Sequence, residues 1–521
     1  DRYSLMFSAA GTLTSDALTQ KLGLPLTGRV AGSAPVDANI RLPQGNKERA
    51  AAAALPVEIS LTSALEGLGI DLPYPVGKPQ EAALPASLLL SIGPSFDVRG
   101  ALGEWIDLVA LIQPDPGTAA LQVERATIHL GDGRALLPLA AGLYVDGSID
   151  QLRLGDWLNL KLTDGNGWVT DNLTATQVSV DDLYIFGQRV RGVDGTLQRA
   201  GENWLIDVQS EAVAGTVSVP RDLSQGDAVV LDMRRLALLE ADPIDSEPAD
   251  PTSLPPLRIR AEQFALGERQ FGALELDLDK TPDGLVATRL ATANEAFAVS
   301  GSGDWLLDSD EPEGSRTRLQ AEIRSTDVKR MMRELGYAPG IDAPDLTSTV
   351  DLSWAGGPDD DFLDSLDGEV SLRIVDGTLD EVDPGAGRVG GLISLAELPR
   401  RLALDFRDVF QRGFNFDEIK GDFRLVNGAA YTCNLSLEGA SADVGIIGRA
   451  SLDLRNYNQT AVVSVKVGNT LPAVGAVVAG PQVGAVLLLF SQIFKKPLQG
   501  MTQIYYQING SWDEPSIDRT D

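Results

Sequence analysis

Apolar and polar residues alternate along much of this chain with a period of two. In the segment Glu369–Val375, Val370, Leu372 and Ile374 fall on one side and charged or hydroxyl residues on the other. Leu274, Leu276 and Leu278 alternate with Glu275, Asp277 and Asp279, and Val463, Val465 and Val467 alternate with Val462, Ser464 and Lys466. Successive side chains of a strand point to opposite faces, so this period predicts a sheet with one dry face and one wet face.

Turn signals separate the alternating runs. Asp-Gly pairs stand at Asp132-Gly133, Asp146-Gly147, Asp194-Gly195, Asp283-Gly284, Asp367-Gly368 and Asp376-Gly377, and Asn427-Gly428 separates Phe423–Val426 from Ala429–Thr432. Such pairs tolerate the positive φ angles of tight hairpins, which predicts an antiparallel meander. A degenerate tryptophan tag, Gly155-Asp-Trp157, Gly303-Asp-Trp305, Ser353-Trp354 and Gly510-Ser-Trp512, recurs at expected strand ends with irregular spacing. It hints at successive similar sheet units and is not a strict solenoid repeat.

Helical stretches are few. Thr326–Leu335 has a cap in Thr326 or Asp327 and a stop in Gly336. Gly391–Phe410 reads as a helix broken near Pro399, and Leu471–Phe494 is rich in small apolar residues and interrupted by Pro481. Residues 241–256 form an acidic, proline-rich loop, the best candidate boundary. The expected organisation is therefore a β-groove region over 1–240, that loop, and a second β-groove region over 257–521 with helical segments at 391–410 and 471–494.

Composition narrows the function. Lys plus Arg number 43 against 74 Asp plus Glu, a formal net charge of −31. That balance argues against nucleic acid, whose phosphates need clustered cations, and against broad adhesion to anionic lipid surfaces. Hydrophobic residues make up 43% of the 521, enough for a large apolar interior. The single cysteine, Cys433, forms no intrachain disulfide and excludes a cysteine-based zinc site. The chain opens at Asp1-Arg2-Tyr3-Ser4 with no Met and holds no run of roughly 18 apolar residues, so it is read as a fragment whose anchor and export signal lie upstream.

Catalytic chemistry is hard to build here. One histidine, His129, and one cysteine supply no Ser-His-Asp, Cys-His or His-rich metal set. Gly385-Ala-Gly387-Arg-Val-Gly390 matches a dinucleotide fingerprint, yet hairpins rather than a βαβ unit surround it and Pro384 breaks its approach. Acidic runs such as Asp359–Asp361 read as solvated loops, and no spacing selects a carboxylate pair for glycoside hydrolysis. No enzyme activity and no cofactor are expected.

Several segments together resemble the carboxy-terminal AsmA-like region of the YhdP family. They are Gly391–Phe410, Gly413–Phe416, Gly421–Phe423, Gly439, Gly448-Arg449, Leu471-Pro472, the small-apolar run from Gly475 to Leu489, Lys496-Pro497 and Gly510–Asp513. Upstream, Phe186-Gly-Gln188, Ala214-Gly215, Val219-Pro220 and Leu335–Pro339 look similar too. The resemblance implies a mostly β protein, an elongated, twisted antiparallel sheet that forms an open, taco-like apolar groove akin to eukaryotic chorein-type bridge proteins. It implies phospholipid transport across the Gram-negative periplasm, with an amino-terminal inner-membrane anchor and no catalytic residues.

The physics of the alternation fits that role. A dry sheet face must be covered, and helices are too few to cover so many strands. At about 0.8 kcal/mol per CH₂, exposing two acyl chains of about 16 carbons to water costs on the order of 20 kcal/mol, which an apolar trough largely removes. The expected groove floor includes Val370, Leu372, Ile374, Phe423, Leu425, Leu452, Leu454, Val463, Val465 and Val467, each taken as the apolar side of an alternating strand. Val486, Leu487, Leu488, Leu489, Phe490, Ile493 and Phe494, followed by Lys495 and Lys496, form an apolar run about 18 Å long as a helix. That is too short for a bilayer core of about 30 Å and suits shallow contact with the inner leaflet of the outer membrane, or a cap on the end of the sheet. The expected partners are phospholipid, that leaflet and, through the anchor, the inner membrane. A closed-core scaffold without lipid cargo gives the same alternation and stays open as the alternative.

Overall fold

The computed structural model describes residues 3–18, 28–43, 56–93, 95–114, 121–158, 173–185, 188–223, 226–238, 250–311, 313–358, 362–380, 414–466, 502–512 and 514–520. The chain is mostly β and splits into two compact units, Asp1–Arg221 and Asp222–Asp521. The expected helices at 391–410 and 471–494, the glycine motif at 385–390 and most of the acidic loop lie outside the described residues.

Unit 1 is a sheet of β1 (Tyr3–Thr14), β2 (Val30–Pro43), β3 (Val57–Ser63), the short β4 (Leu68–Ile70), β5 (Ala86–Ile92), β6 (Phe96–Leu102), β7 (Ile106–Pro114), β8 (Leu121–Leu130), β9 (Gly142–Arg153), β10 (Leu173–Ile185), β11 (Gln188–Ala200), β12 (Asn203–Gln209) and β13 (Val213–Pro220). Helix α1 (Leu154–Leu158) follows β9. Pairing is antiparallel from β1 to β8, parallel for β8–β9 and β9–β10, and antiparallel again from β10 to β13.

Unit 2 contains β14 (Val229–Leu238), β15 (Leu257–Leu266), β16 (Arg269–Thr281), β17 (Gly284–Ala293), β18 (Phe297–Leu307), β19 (Ser315–Ser325), the two-residue β20 (Ile341–Asp342), β21 (Asp345–Ala355), β22 (Asp367–Leu379), β23 (Phe414–Val426), β24 (Ala429–Gly439), β25 (Ala442–Ser451), β26 (Asn456–Val465), β27 (Thr502–Ser511) and β28 (Pro515–Thr520). The pair β14–β15 is parallel and the others are antiparallel. Helix α2 (Val328–Glu334) lies where the sequence places it. The Asp327 side chain accepts the Arg330 amide at 2.9 Å as its cap, Val328 and Met331 are buried, and Gly336 ends it at φ +77°.

The parallel pairs correct the expectation of a purely antiparallel meander, and the Asp-Gly pairs explain part of the error. Asn427-Gly428 does turn a hairpin, with φ +46° and +70° at its two residues, and Asp283-Gly284 lies at the β16–β17 turn. Asp146-Gly147, Asp194-Gly195 and Asp376-Gly377 instead lie inside strands, and Asp132-Gly133 opens a crossover between parallel strands. At Gly147 a Cβ would stand 1.9 Å from the Leu130 carbonyl oxygen, so glycine there permits close approach of the parallel neighbour. Trp157 likewise belongs to α1, not to a strand end.

One buried cation organises the loop around β4. The Lys78 ammonium donates to the carbonyls of Leu65 at 2.9 Å, Leu68 at 2.5 Å and Pro79 at 3.0 Å, and the residue is 8% exposed. Burial pushes its pKa down, since desolvation disfavours the charged form. Removing it takes a charged donor from three carbonyls beside the buried Leu65 and Leu68, leaving those of Leu65 and Pro79 only the Leu68 and Ala82 amides at 3.2 Å. Lys78→Met should therefore lower the local stability of 65–80 by about 2 kcal/mol or more, read as faster amide exchange there than in β11–β13.

Candidate functional site

The register of the ladders decides which side chains share a face, because residues directly paired across strands point the same way. In unit 1 one transverse row runs Ala9, Ala38, Leu61, Leu88, Gly100, Leu108, Ile128, Val145, Thr176, Leu197, Ile206 and Val217, one residue from each strand but the short β4. No charged residue interrupts it. Leu88, Leu108, Ile128, Val145, Leu197 and Ile206 are half-buried, as expected for side chains that lean on their neighbours with little above them. Near the start of β11 the alternation slips by one at Gly192, φ +58°, so Val190 and Val193 are both buried while Arg191 stays exposed.

Unit 2 repeats the device. One row runs Leu231, Ile259, Leu276, Leu290, Gly301, Ala321, Val350, Val370, Phe423, Thr432, Gly448, Gln459, Ile508 and Ile517, again without a charge. A second row on the same face joins Phe297, Ser325, Leu346, Ile374, Ile419, Leu437, Val444, Val463 and Ile504. A bulge at Cys433 and Asn434 in β24 keeps both rows on one side.

Exposure along this face is graded. Leu276, Leu319, Leu352, Val370 and Leu372 are half-buried, whereas Ile374, Phe423, Leu425 and Ile419 fall to 3% or less and Ile446, Val463 and Ile508 to 0%. In β26 the opposite face is closed as well, with Val462 and Ser464 at 0%. Across β15–β22 the first row is thus half-buried while the second is closed at Phe297, Leu346 and Ile374, and across β23–β28 both rows are filled.

The other face carries the charge. Arg260 pairs with Asp277 at 2.7 Å, Arg289 with Glu275 at 2.5 Å and Arg373 with Glu418 at 2.8 Å. A shallow polar depression on that side is lined by Thr347, Thr349, Ser371, Arg373, Lys420 and Asp422. Its cations are spoken for, since Lys420 pairs with Glu418 and Glu438. The Lys420 ammonium, with Arg373 behind it, holds the Glu418 carboxyl below the usual carboxylate range. Among the described residues no three His, Cys, Asp or Glu side chains are grouped to hold a metal ion, and no helix is long and apolar enough to cross a membrane.

The family model for the YhdP protein matches residues 1–517. The chain belongs to the YhdP family. This YhdP-family chain is 26% identical over 264 residues to the intermembrane phospholipid transporter YhdP of Escherichia coli (strain K12), an alignment that covers 50% of this chain and 21% of that relative. The chain therefore spans about a fifth of the length of the curated relative it matches. No solved structure matches it.

The structure brings most of the expected floor residues of this YhdP-family chain together. Val370, Leu372, Ile374, Phe423, Leu425, Val463 and Val465 share the charge-free face. Leu452 and Leu454 do not belong to a strand, because both lie in the Leu452–Arg455 turn between β25 and β26, and Leu454 is 66% exposed. Alternation alone ran past the end of β25, where Arg455 takes φ +46°. Val467, the run Val486, Leu487, Leu488, Leu489, Phe490, Ile493 and Phe494, and Lys495 and Lys496 lie outside the described residues. Sequence reasoning expected a β-groove region over 1–240 but named none of the unit 1 face residues. Its signal is present in Phe96–Leu102 and Ile106–Ile112, but Leu89 and Leu111 on the opposite side blur the period. Ile374→Ala should cost about 2–5 kcal/mol and Leu454→Ala no more than about 0.5 kcal/mol, a contrast that chemical denaturation of unit 2 measures.

Proposed function

We propose that the chain is part of a phospholipid conduit, holding acyl chains against its charge-free sheet face while headgroups stay in water. The observation that carries this reading is the charge-free, largely apolar row in each unit, half-buried over most of its length. A sheet face of that kind loses free energy until something apolar covers it, and aliphatic side chains at half-burial offer acyl chains contact without any directional chemistry. The name of the Escherichia coli relative, an intermembrane phospholipid transporter, agrees with this cargo. On this reading the whole protein works in the periplasm between inner and outer membrane, anchored in the inner one, and performs no catalysis. Val486–Phe494 with Lys495 and Lys496 remains the proposed contact with the inner leaflet of the outer membrane.

Half-buried floor positions tolerate a charge better than the filled end does, so they make the sharper variants. Phospholipid should co-purify with the chain and be released into organic solvent for mass spectrometry. Leu276→Asp combined with Leu372→Asp should cut the bound lipid about tenfold or more, since a carboxylate set against acyl chains costs at least about 1.4 kcal/mol. Ser371→Asp, one residue away on the wet face, should leave it unchanged. A folded chain that carries no phospholipid, or a double variant that carries as much as the parent, sinks the proposal and favours the scaffold reading.

A further inference from the structure

The one histidine of the chain sits on the polar face of unit 1, where β8 hands over to its parallel neighbour β9. Because β9 runs the same way as β8, the chain must come back along the sheet between them. Gly142 stands opposite Arg125, five residues before the end of β8, and 131–141 make the return as a strap without regular structure. Besides the Gly131 amide on the Trp105 carbonyl at 2.8 Å, three side-chain contacts tie the strap down. The Asp107 carboxylate accepts the Ala135 amide at 2.7 Å, Arg125 donates to the Pro138 carbonyl at 3.2 Å, and the Tyr144 hydroxyl donates to the Ala141 carbonyl at 3.5 Å. Where the strap crosses, Val109, Leu111 and Thr127 are buried on a face that is wet elsewhere.

His129 makes the fourth side-chain tie. Its Nδ1 lies 2.6 Å from Asp146 Oδ1 on β9, and its Nε2 lies 3.2 Å from the Asp132 carbonyl oxygen in the strap. Both partners only accept. A neutral imidazole has one N–H and one lone pair, so in either tautomer one contact would set lone pair against lone pair. Only the imidazolium donates to both. Gly133, at φ +144°, lets the strap close on the ring, since a Cβ there would stand 2.4 Å from Nε2.

We propose that His129 is a pH-sensitive latch that fastens the start of the strap to β9 when protonated and releases it when neutral. The charged groups that act on the ring are Asp146 from β9 and Asp107 from β7, each paired directly with His129 across the ladder. Of these residue types only imidazole ordinarily changes charge near neutrality. The hydrogen bond to Asp146, then that to Asp132, raises the His129 pKa above its ordinary 6.5. A raised folded-state pKa means that the latch is fully made below about pH 6.5 and is lost as pH climbs through the folded-state value. The latch lies on the face away from the floor rows and stands independently of the lipid reading.

A single histidine gives a single imidazole signal, so NMR titration of the whole chain reads this residue alone. The midpoint should lie above 6.5, and Asp146→Asn should pull it down toward 6.5. Hydrogen exchange of 130–136, corrected for intrinsic rates, should lose protection about tenfold per pH unit of raised midpoint as pH rises through it. His129→Gln should flatten that dependence. If His129→Gln fails to fold, the Asp146→Asn variant decides, because its exchange transition should move down with its midpoint. A midpoint at or below 6.5, or strap protection with the same pH profile in the variants as in the parent, overturns the latch.

Discussion

Everything in this chain follows from the need to cover a sheet face whose central rows carry no charge. Strands alternate, so a face made dry on one strand must be dry on its neighbours or the row is broken by a buried charge, which costs several kcal/mol. The central rows of both units obey this from first strand to last, and a bulge at Cys433–Asn434 restores the face where the pleat would have turned it outward. In β23–β28 the covering is complete, with Val463, Ile446 and Ile508 fully buried. Along the first row of β15–β22 and along the unit 1 row the same kind of surface is only half-covered by its own side chains. Apolar area left that way is a standing call for an apolar ligand.

The wet face answers a different need. Its ion pairs, such as Arg289 with Glu275, are between exposed groups and add little stability, of order 0–1 kcal/mol each. Their value lies in keeping that side hydrated while the other side stays dry. A net charge of −31 adds mutual repulsion between copies, which keeps open apolar faces from meeting each other.

The β class and the floor of unit 2 were legible because Val370, Leu372 and Ile374 alternate cleanly and the period fixes the face. Helix α2 was legible because its cap and stop lie within ten residues. The parallel pairs were not, since an Asp-Gly pair reads the same whether its glycine turns a hairpin, as at Asp283-Gly284, or admits a close neighbour in mid-strand, as at Gly147. Leu454 was misplaced because a turn can continue an alternating pattern without continuing the strand. The graded exposure of the floor lies beyond any local pattern, since Leu372 and Ile374 sit two residues apart on one strand and differ only in what packs over them.

Site-specific photo-crosslinking tests the central claim most directly, because adjacent residues of one strand report opposite faces. A photoreactive side chain at Leu372, Leu276 or Leu108 should capture phospholipid in cells, and one at Ser371, Asp277 or Asp107 should not. Equal capture from both faces, or none from either with the chain folded and expressed, would contradict the account.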